Sequence, residues 1–489
     1  GTLQFDVSYK SHKLFLGFEY DKEIERSYSI NPMALWGSMR NMANYHLQEL
    51  DLDNPQMDQI SNNIIYYYRM YDEQAQYTFD KNLRAKLGLP VDGVDFILTD
   101  SYDMVNNTID YYDKDGVLHT IATHGDLYTL DLFSAEELLN DGKFIVSPAG
   151  YDYLGKKLKG KQGSYDFFEN WIIDAYRPSY FSAFIGDQFR WKTVDISVGL
   201  RIDNFDANQP VLKDPYLLYA AKTASEVNDI SGELVTHPEN IGEEFVVYVD
   251  NISNPIEITG YRDGNTLYNY YGEEITDPGD LDRGSGISPY LKDPNQNGVR
   301  PDVFEDYQAK TTILPQVSLD IKREWGNIYF NYNSFSQNPV AYNIFRPDQY
   351  YFISTQTGVI NNPALKPTRY DKLNIGVAPK IYKTLFADVS FMGIFVNDFT
   401  YVDAIIGAYP RSYFTVMNLD EMLYSSSVTA SLNYYSPRSS GIAAGSSFTY
   451  TFISDTNNYY LNIPEIVANT HLTFNFGGGK EFVLGTNKT

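Results

Sequence analysis

The chain has 489 residues and carries 63 Asp and Glu against 38 Lys and Arg, for a formal net charge of −25. This acidity argues against nucleic acid as a partner, because nucleic-acid binding needs a basic surface to neutralise phosphates. The lack of cysteine excludes disulfides and thiolate metal sites, and no apolar run approaches the roughly 20 residues of a transmembrane helix. The acidity fits an Asp- and Asn-rich loop surface, or simply the solubility of an acidic protein.

The first predicted elements are two strands, Thr2–Tyr9 and His12–Tyr20, joined by a tight link at Lys10-Ser11. In both segments apolar residues alternate with other residues, the period of a strand. The chain then leaves the predicted sheet for a long excursion.

Helix and turn signals mark this excursion. Asn31 followed by Pro32 predicts a helix over Pro32–Leu50, and Asn54-Pro55 repeats the start signal on a shorter scale. The run Ile64–Tyr71 predicts a return to strand.

Further along the excursion, Asp113 to Gly116 has the chemistry of a hairpin turn. Ser134 and Glu137 form a capping box before a short helix that is expected to stop at Gly142.

The clearest pattern lies in Tyr180–Asp203, which predicts a hairpin with the short link Lys192-Thr193. Its second strand has one apolar and one polar face and is long enough to span a bilayer when tilted. The residues predicted on the apolar face are Val194, Ile196, Val198, Leu200 and Ile202.

Later strands recur after a second excursion over Ala207–Gln308 and a third over Pro339–Pro367. The predicted strands contain Val317–Ile321 and Ile328–Tyr332, and continue with Tyr370–Lys380, Leu385–Asn397, Ser427–Tyr435, Gly441–Ile453 and Val467–Phe476.

About twelve predicted strands with short links on one side and long loops on the other favour a transmembrane antiparallel β-barrel. The fold class is therefore expected to be all-β, with residues 1–489 forming barrel and with long extracellular loops at about 21–177, 207–308 and 337–367 that contain short helices. The alternative is a multi-domain secreted β-protein.

Two segments resemble a known family. Residues 185–205, IGDQFRWKTVDISVGLRIDNF, resemble paired barrel strands of TonB-dependent outer-membrane receptors, with Asp187-Gln188 inverted. Asn361–Pro367 and the strand after it are similar to the family's Asn-Pro-x-Leu-Lys-Pro segment, although Thr368 and Asn374 replace acidic residues. The long loops look like a large-looped branch common among Bacteroidetes, whose members carry a carboxypeptidase-regulatory-like domain.

The resemblance implies a barrel of about 22 strands with a plugged lumen, in the outer membrane of a Gram-negative bacterium. No plug-like segment is found in this sequence, so we expect the C-terminal barrel portion of a longer receptor. The alternative is a complete, smaller barrel of about twelve strands.

One loop has the spacing of a calcium site. Asp293, Asn295 and Asn297, followed by Gly298, match the first half of a D-x-[DN]-x-[DN]-G loop, and the carbonyl of Val299 is the next expected ligand. Phe304 stands where a bidentate carboxylate is expected, so Asp302, Glu305 or Asp306 is the candidate substitute. The alternative is an Asx-rich turn without Ca²⁺.

Other candidate sites are weaker. His119 and His124 with Asp126 suggest a metal pair, but their five-residue spacing places the histidines on opposite faces of a strand. No catalytic motif is found, so an enzyme is not expected. The tyrosine clusters at 66–68, 350–352 and 459–460 are expected to lie mostly in aromatic girdles at the membrane interfaces. The alternative is that those high in loops bind peptide or carbohydrate by stacking.

The function implied by the resemblance is a TonB-dependent receptor or transporter. It would import or bind a large nutrient (a peptide, a glycan or a metal chelate), with outer-membrane lipid, TonB and a surface lipoprotein or secreted protein as partners. The alternative is a non-transporting barrel that serves as a docking or export-assisting platform.

Overall fold

The computed structural model describes residues 1–57, 60–61, 63–139, 145–163, 165–284, 286–435, 443–454 and 469–471. Its dominant element is one antiparallel sheet of eleven strands in sequence order, here called the main sheet. The strands are β1 Thr2–Tyr9, β2 His12–Lys22, β3 Ser179–Trp191, β4 Val194–Asp206, β5 Lys310–Arg323, β6 Gly326–Gln337, β7 Thr368–Tyr382, β8 Leu385–Asn397, β9 Leu423–Tyr435, β10 Ala443–Ser454 and β11 Asn469–His471.

The register of the main sheet aligns apolar side chains across neighbouring strands. Leu16 on β2 lies opposite Ile185 on β3, which lies opposite Leu200 on β4. These side chains are 40, 55 and 40 % exposed, respectively. The alternation of β4 therefore produces an apolar face that no other layer of the described protein covers, as a lipid-facing wall requires.

The two sides of the main sheet differ in the length of their connections. Links of two residues join β1 to β2, β3 to β4, β5 to β6 and β7 to β8. Lys10 and Lys192 adopt the left-handed conformation that short hairpin links need, with φ of 53° and 56°. The opposite side carries long excursions over residues 23–178, 207–309 and 338–367, so the predicted all-β wall with one-sided long loops is confirmed.

The excursions contain short elements of their own. In the first, the helices are Pro32–Met42, Tyr45–Leu47, Thr78–Leu87, Leu130–Leu132, Ala135–Leu139 and Phe167–Asn170, and the strands are Ser27–Ile30, Gln56–Met57, Ile64–Tyr66, Phe96–Asp103, Thr108–Tyr112, Leu118–Ala122 and Val146–Ala149.

The second excursion has the 3₁₀ turns Ala224–Glu226, Pro278–Leu281 and Pro301–Val303 and the strands Pro210–Leu212, Asp229–Ile230, Glu233–Leu234, Val246–Val249, Ile258–Asp263, Thr266–Asn269, Glu274–Ile275, Ser288–Pro289 and Phe304–Asp306. The third has the helix Pro347–Tyr351 and the strand Val359–Ile360.

A fourth excursion, residues 398–422, was not predicted. It holds the strands Thr400–Ile405 and Tyr413–Asn418, which pair with each other and, through the second strand, with Val359–Ile360. The third and fourth excursions are thus joined by backbone pairing.

Three predicted elements of the first excursion differ from the structure, two in their extent and one in its type. The helix Pro32–Leu50 ends at Met42, because Asn44 turns left-handed and its side chain bonds both backbone groups of Ile97. Asn54-Pro55 starts no helix, since Gln56–Met57 pairs as a strand with Ile64–Tyr66. That strand, predicted to run to residue 71, ends at Tyr66.

Other predicted local features are confirmed. The amide of Glu137 donates to Ser134 Oγ at 3.2 Å and the amide of Ser134 donates to Glu137 Oε2 at 2.8 Å, which is the capping box. The amide of Gly116 donates to the Asp113 carbonyl at 3.0 Å and closes the predicted turn. The helix stop at Gly142 and most of the strand Val467–Phe476 lie outside the described residues.

In the part of the chain that the structure describes, no helix combines the length and the apolar character needed to cross a membrane. Within the same residues, β1 pairs with β2 alone and β11 with β10 alone.

Candidate functional site

A charged network lies on the polar face of the main sheet, near the long-loop side. Arg201 on β4 donates to Asp203 at 2.7 Å, to Glu19 on β2 at 2.9 Å and to the hydroxyl of Tyr180 on β3 at 2.6 Å. Ser336 on β6 donates to the other Asp203 oxygen at 2.9 Å. Because residues two apart on a strand share a face, these groups lie opposite the apolar side chains of Leu200 and Ile202.

Above this network the excursions pack into cores of their own. Tyr350 from the third excursion is 2 % exposed and lies against Phe304 from the second and Tyr413 from the fourth. Its hydroxyl donates to the Asn361 carbonyl at 2.6 Å, and burial raises its pKa well above the ordinary value. The long loops are therefore a packed layer that can present a fixed binding surface.

The segment Asn361–Pro367, which carries the family resemblance, joins this layer to the wall. Asn361 donates to the Ile344 carbonyl at 3.0 Å and Asn362 donates to the Val416 carbonyl at 2.9 Å. The amide of Lys366 donates to Asn418 Oδ1 at 2.8 Å. The segment holds the fourth excursion to the third immediately before β7 begins.

The predicted girdle role of the tyrosine clusters is wrong for those in the described residues. Tyr350 is part of the loop core, and Tyr68 bonds Asp115 within the first excursion. The pair Tyr459-Tyr460 lies outside the described residues.

A different set of aromatic residues is exposed at the short-link edge of the main sheet. Tyr9, Trp191, Trp325 and Tyr382 are 62, 61, 50 and 70 % exposed. Each lies directly before or within a two-residue link, which is the sequence signal that could have identified them. This position suits an interfacial girdle.

The predicted calcium residues lie together in one surface loop with the expected turn. The amide of Asn295 donates to Asp293 Oδ1 at 3.1 Å, and Gly298 is left-handed with φ 86°. The other carboxylate oxygen of Asp293 accepts from Arg300 at 3.0 Å.

The other predicted calcium ligands differ in how far they are buried. Val299 is buried at 3 % exposure, whereas the side chains of Asn295, Asn297 and Asp302 are exposed. The carbonyl of Asp302 accepts from Lys213 at 2.6 Å. The loop therefore forms an Asx turn, and Ca²⁺ binding to it stays a prediction.

The histidine pair does not form a cluster. His119 Nε2 lies 2.8 Å from Asp113 and its ring stacks on Tyr111, while His124 is exposed beyond the end of the strand. Among the described residues, no group of three or more His, Asp or Glu side chains is close enough together to hold a metal ion.

No protein-family model and no curated protein matches the chain. Among solved structures it is similar to the copper transporter OprC, at 10 % identity and a TM-score of 0.34 over 93 % of this chain and 37 % of that one. It is also similar to the Serratia marcescens hemophore receptor HasR, at 11 % identity and a TM-score of 0.31 over 93 % of this chain and 44 % of that one.

A third similar structure is the ferric-catecholate import receptor Fiu of Escherichia coli K12, at 10 % identity and a TM-score of 0.31 over 93 % of this chain. The chain spans 37 to 44 % of the length of these three proteins.

Proposed function

We propose that the chain is the barrel portion of a TonB-dependent receptor of the large-looped type, in the outer membrane of a Gram-negative bacterium. Its role is binding and transport of a large nutrient (a peptide, a glycan or a metal chelate) captured by the long loops. TonB and a surface lipoprotein or secreted protein are the proposed partners.

One observation carries this proposal: a wall of long strands has an exposed apolar face, a charged opposite face and a packed layer of loops on one side. In lipid, every backbone polar group needs a partner, and hydrogen-bonded strands supply it. The sequence resemblance at residues 185–205 and 361–367 adds TonB dependence. In the structure these residues form the β3–β4 hairpin and the link into β7.

The lipid-facing assignment predicts unequal effects of two neighbouring substitutions. Leu200→Arg places a charge on the apolar face and is expected to cost ~2–4 kcal/mol if the site is near the bilayer midplane. Ser197→Arg, on the polar face opposite Gln188, is the matched control and should be tolerated. Leu200 is preferred to Val198, because Val198 lies opposite Asp187, whose carboxylate could pair with the new arginine.

Two quantities are measured for each variant. They are the free energy of unfolding in lipid vesicles and the yield of heat-modifiable protein in the outer membrane. Equal tolerance of both substitutions would contradict the lipid-facing wall and the receptor proposal with it.

Transport is separated from docking by the dependence on TonB. Uptake of labelled peptides or glycans by cells that carry the receptor should fall to background when TonB is deleted, while surface binding persists. Binding without any TonB-dependent uptake would favour the docking platform.

A further inference from the structure

A cleft opens where the chain passes between the main sheet and the loop layer. It has a volume of about 540 Å³, and its lining includes the chain after β2, the start of β3, the end of β4 and the chain after β6. Tyr180 and Phe205 form aromatic parts of its wall. Because the hydroxyl of Tyr180 bonds Arg201, the cleft continues from the charged face of the wall.

Two carboxylates of the cleft have no cationic partner. Glu23 and Glu25 are two residues apart on an extended segment, whose backbone is fixed by bonds from the Glu23 amide to Pro178 at 3.2 Å and from the Glu25 amide to Tyr176 at 2.9 Å. Alternate residues of an extended chain project to the same side. Within the described residues, no Lys, Arg or His side chain lies within 4 Å of either carboxylate.

Two charged groups near Glu23 and Glu25 have partners of their own. Asp21 Oδ1 accepts a hydrogen bond from Gly1 N at 3.0 Å. Arg177 is bonded to Asp174 at 3.2 Å and is not available to neutralise them.

The cleft also contains a buried acceptor that lacks a donor. Asn343 is 1 % exposed, and its Nδ2 donates to the Tyr176 hydroxyl at 2.7 Å. Its Oδ1 is buried with no hydrogen-bond partner. Buried polar atoms are usually paired, so this acceptor is left unsatisfied at a residue that lines the cleft.

The electrostatics of the cleft also indicate a concentration of negative charge. Burial raises the pKa of Tyr176, and the negative charges of Glu25, Glu23 and Asp206 raise it further. These carboxylates therefore act on one point, the hydroxyl that Asn343 also contacts. The site offers acceptors and negative charge beside aromatic surface.

We propose that the cleft binds the guanidinium group of an arginine side chain on a polypeptide ligand. A guanidinium supplies five N–H donors in a plane, which suits several carboxylate and amide acceptors and stacks on aromatic rings. This ligand chemistry rests on the proposed function, because the polypeptide would be a ligand of the proposed receptor.

The test is calorimetric titration of the purified full chain in detergent with the peptide acetyl-Gly-Arg-Gly-amide. The same peptide with citrulline in place of arginine is its uncharged isostere. The arginine peptide should bind, with an affinity that falls as salt is added, and the citrulline peptide should bind at least tenfold more weakly.

The double variant Glu23→Gln/Glu25→Gln should lose at least tenfold in affinity for the arginine peptide. Glu243→Gln/Glu244→Gln, an exposed pair in the second excursion, is the matched control and should bind like the parent chain. Unchanged heat-modifiable migration of each variant shows that it is folded.

Equal binding of both peptides, or equal binding by the two double variants, would overturn the inference. Absence of binding by the parent chain would overturn it as well. These outcomes leave assembly in the outer membrane and TonB-dependent uptake intact, so they are distinguishable from failure of the proposed function.

Discussion

Two phenylalanines of the polar face each cover a glycine on the neighbouring strand. Phe15 on β2 lies opposite Gly186 on β3, and Phe184 on β3 lies opposite Gly17 on β2. A methyl group at either glycine would overlap the facing ring. The pairs fix the β2–β3 register, because a bare glycine lets an aromatic ring lie flat on the adjacent strand.

Gly186→Ala is expected to destabilise the wall by about 1–3 kcal/mol, since the Phe15 ring must leave its place. The control is Gly199→Ala, at the residue directly opposite Gly186 on β4. A Cβ there would meet no atom closer than 3.6 Å. Guanidinium unfolding in lipid vesicles measures the free energy of unfolding of both variants. Equal stability of Gly186→Ala and Gly199→Ala would refute the role of the Phe15 ring.

His46 is a buried titratable residue of the first excursion. It is 1 % exposed, its Nδ1 lies 3.3 Å from Asp80, and its ring meets Tyr71 edge-on. Burial lowers its pKa; Asp80 and Asp72 oppose this effect and Arg84 adds to it. The neutral form is therefore favoured in the folded state.

A lowered pKa gives this histidine a stabilising contribution that is complete above its ordinary value of about 6.5 and is lost as the pH falls toward the folded value. We expect the protection factors of the amides in the helix Thr78–Leu87, which correct for the intrinsic pH dependence of exchange, to fall between neutral and mildly acidic pH. His46→Leu should weaken that dependence, whereas His124→Leu, at an exposed histidine, should preserve it. The same pH profile in both variants would contradict this assignment.

At the scale of the element, Glu137 connects two helices. Besides capping its own helix, its carboxylate accepts from the Phe79 amide at 3.2 and 3.3 Å, at the start of Thr78–Leu87. Glu137→Ala should therefore cost more than the roughly 0.5–2 kcal/mol typical of losing one cap.

Ser134→Ala removes only the hydroxyl side of the capping box and is the matched control for Glu137→Ala. Amide exchange at Phe79 should rise in Glu137→Ala and stay near the parent rate in Ser134→Ala. A rise of the same size in both variants would show that Glu137 acts only as a cap.

The elements that depend only on residues close in the sequence could be predicted. The links at Lys10 and Lys192 and the capping box at Ser134 follow from residues close in the sequence, and all three are present. The end of the first helix does not follow, because Asn44 is held by Ile97 and Arg84, which lie 53 and 40 residues away.

The roles of aromatic residues could not be assigned from clustering alone. Tyr350 and Trp191 both lie close to other aromatic residues in the sequence, yet one is 2 % exposed and the other 61 %. The difference is tertiary: Tyr350 is enclosed by three excursions, while Trp191 is the last residue before a short link. The fourth excursion was not predicted either, because its two six-residue strands pair with each other and with Val359–Ile360 instead of with the main sheet.

At the scale of the whole molecule, the main sheet was predictable because its period of two repeats over long strands. The many short strands of the excursions were not, since most are two to six residues long and depend on partners far along the chain. The cleft proposed to bind arginine could likewise not be predicted from the sequence, because it gathers residues near positions 23, 176, 205 and 343.

The most direct test of the two-faced wall uses the absence of cysteine, which lets single cysteines be spin-labelled without background. Labels placed one at a time from Val194 to Asp203, in protein reconstituted into vesicles, report their contact with oxygen dissolved in lipid. Oxygen contact should alternate with a period of two and be high at positions 196, 198, 200 and 202. Oxygen contact that is uniform along β4, or highest at 197, 199 and 201, would contradict the two-faced wall.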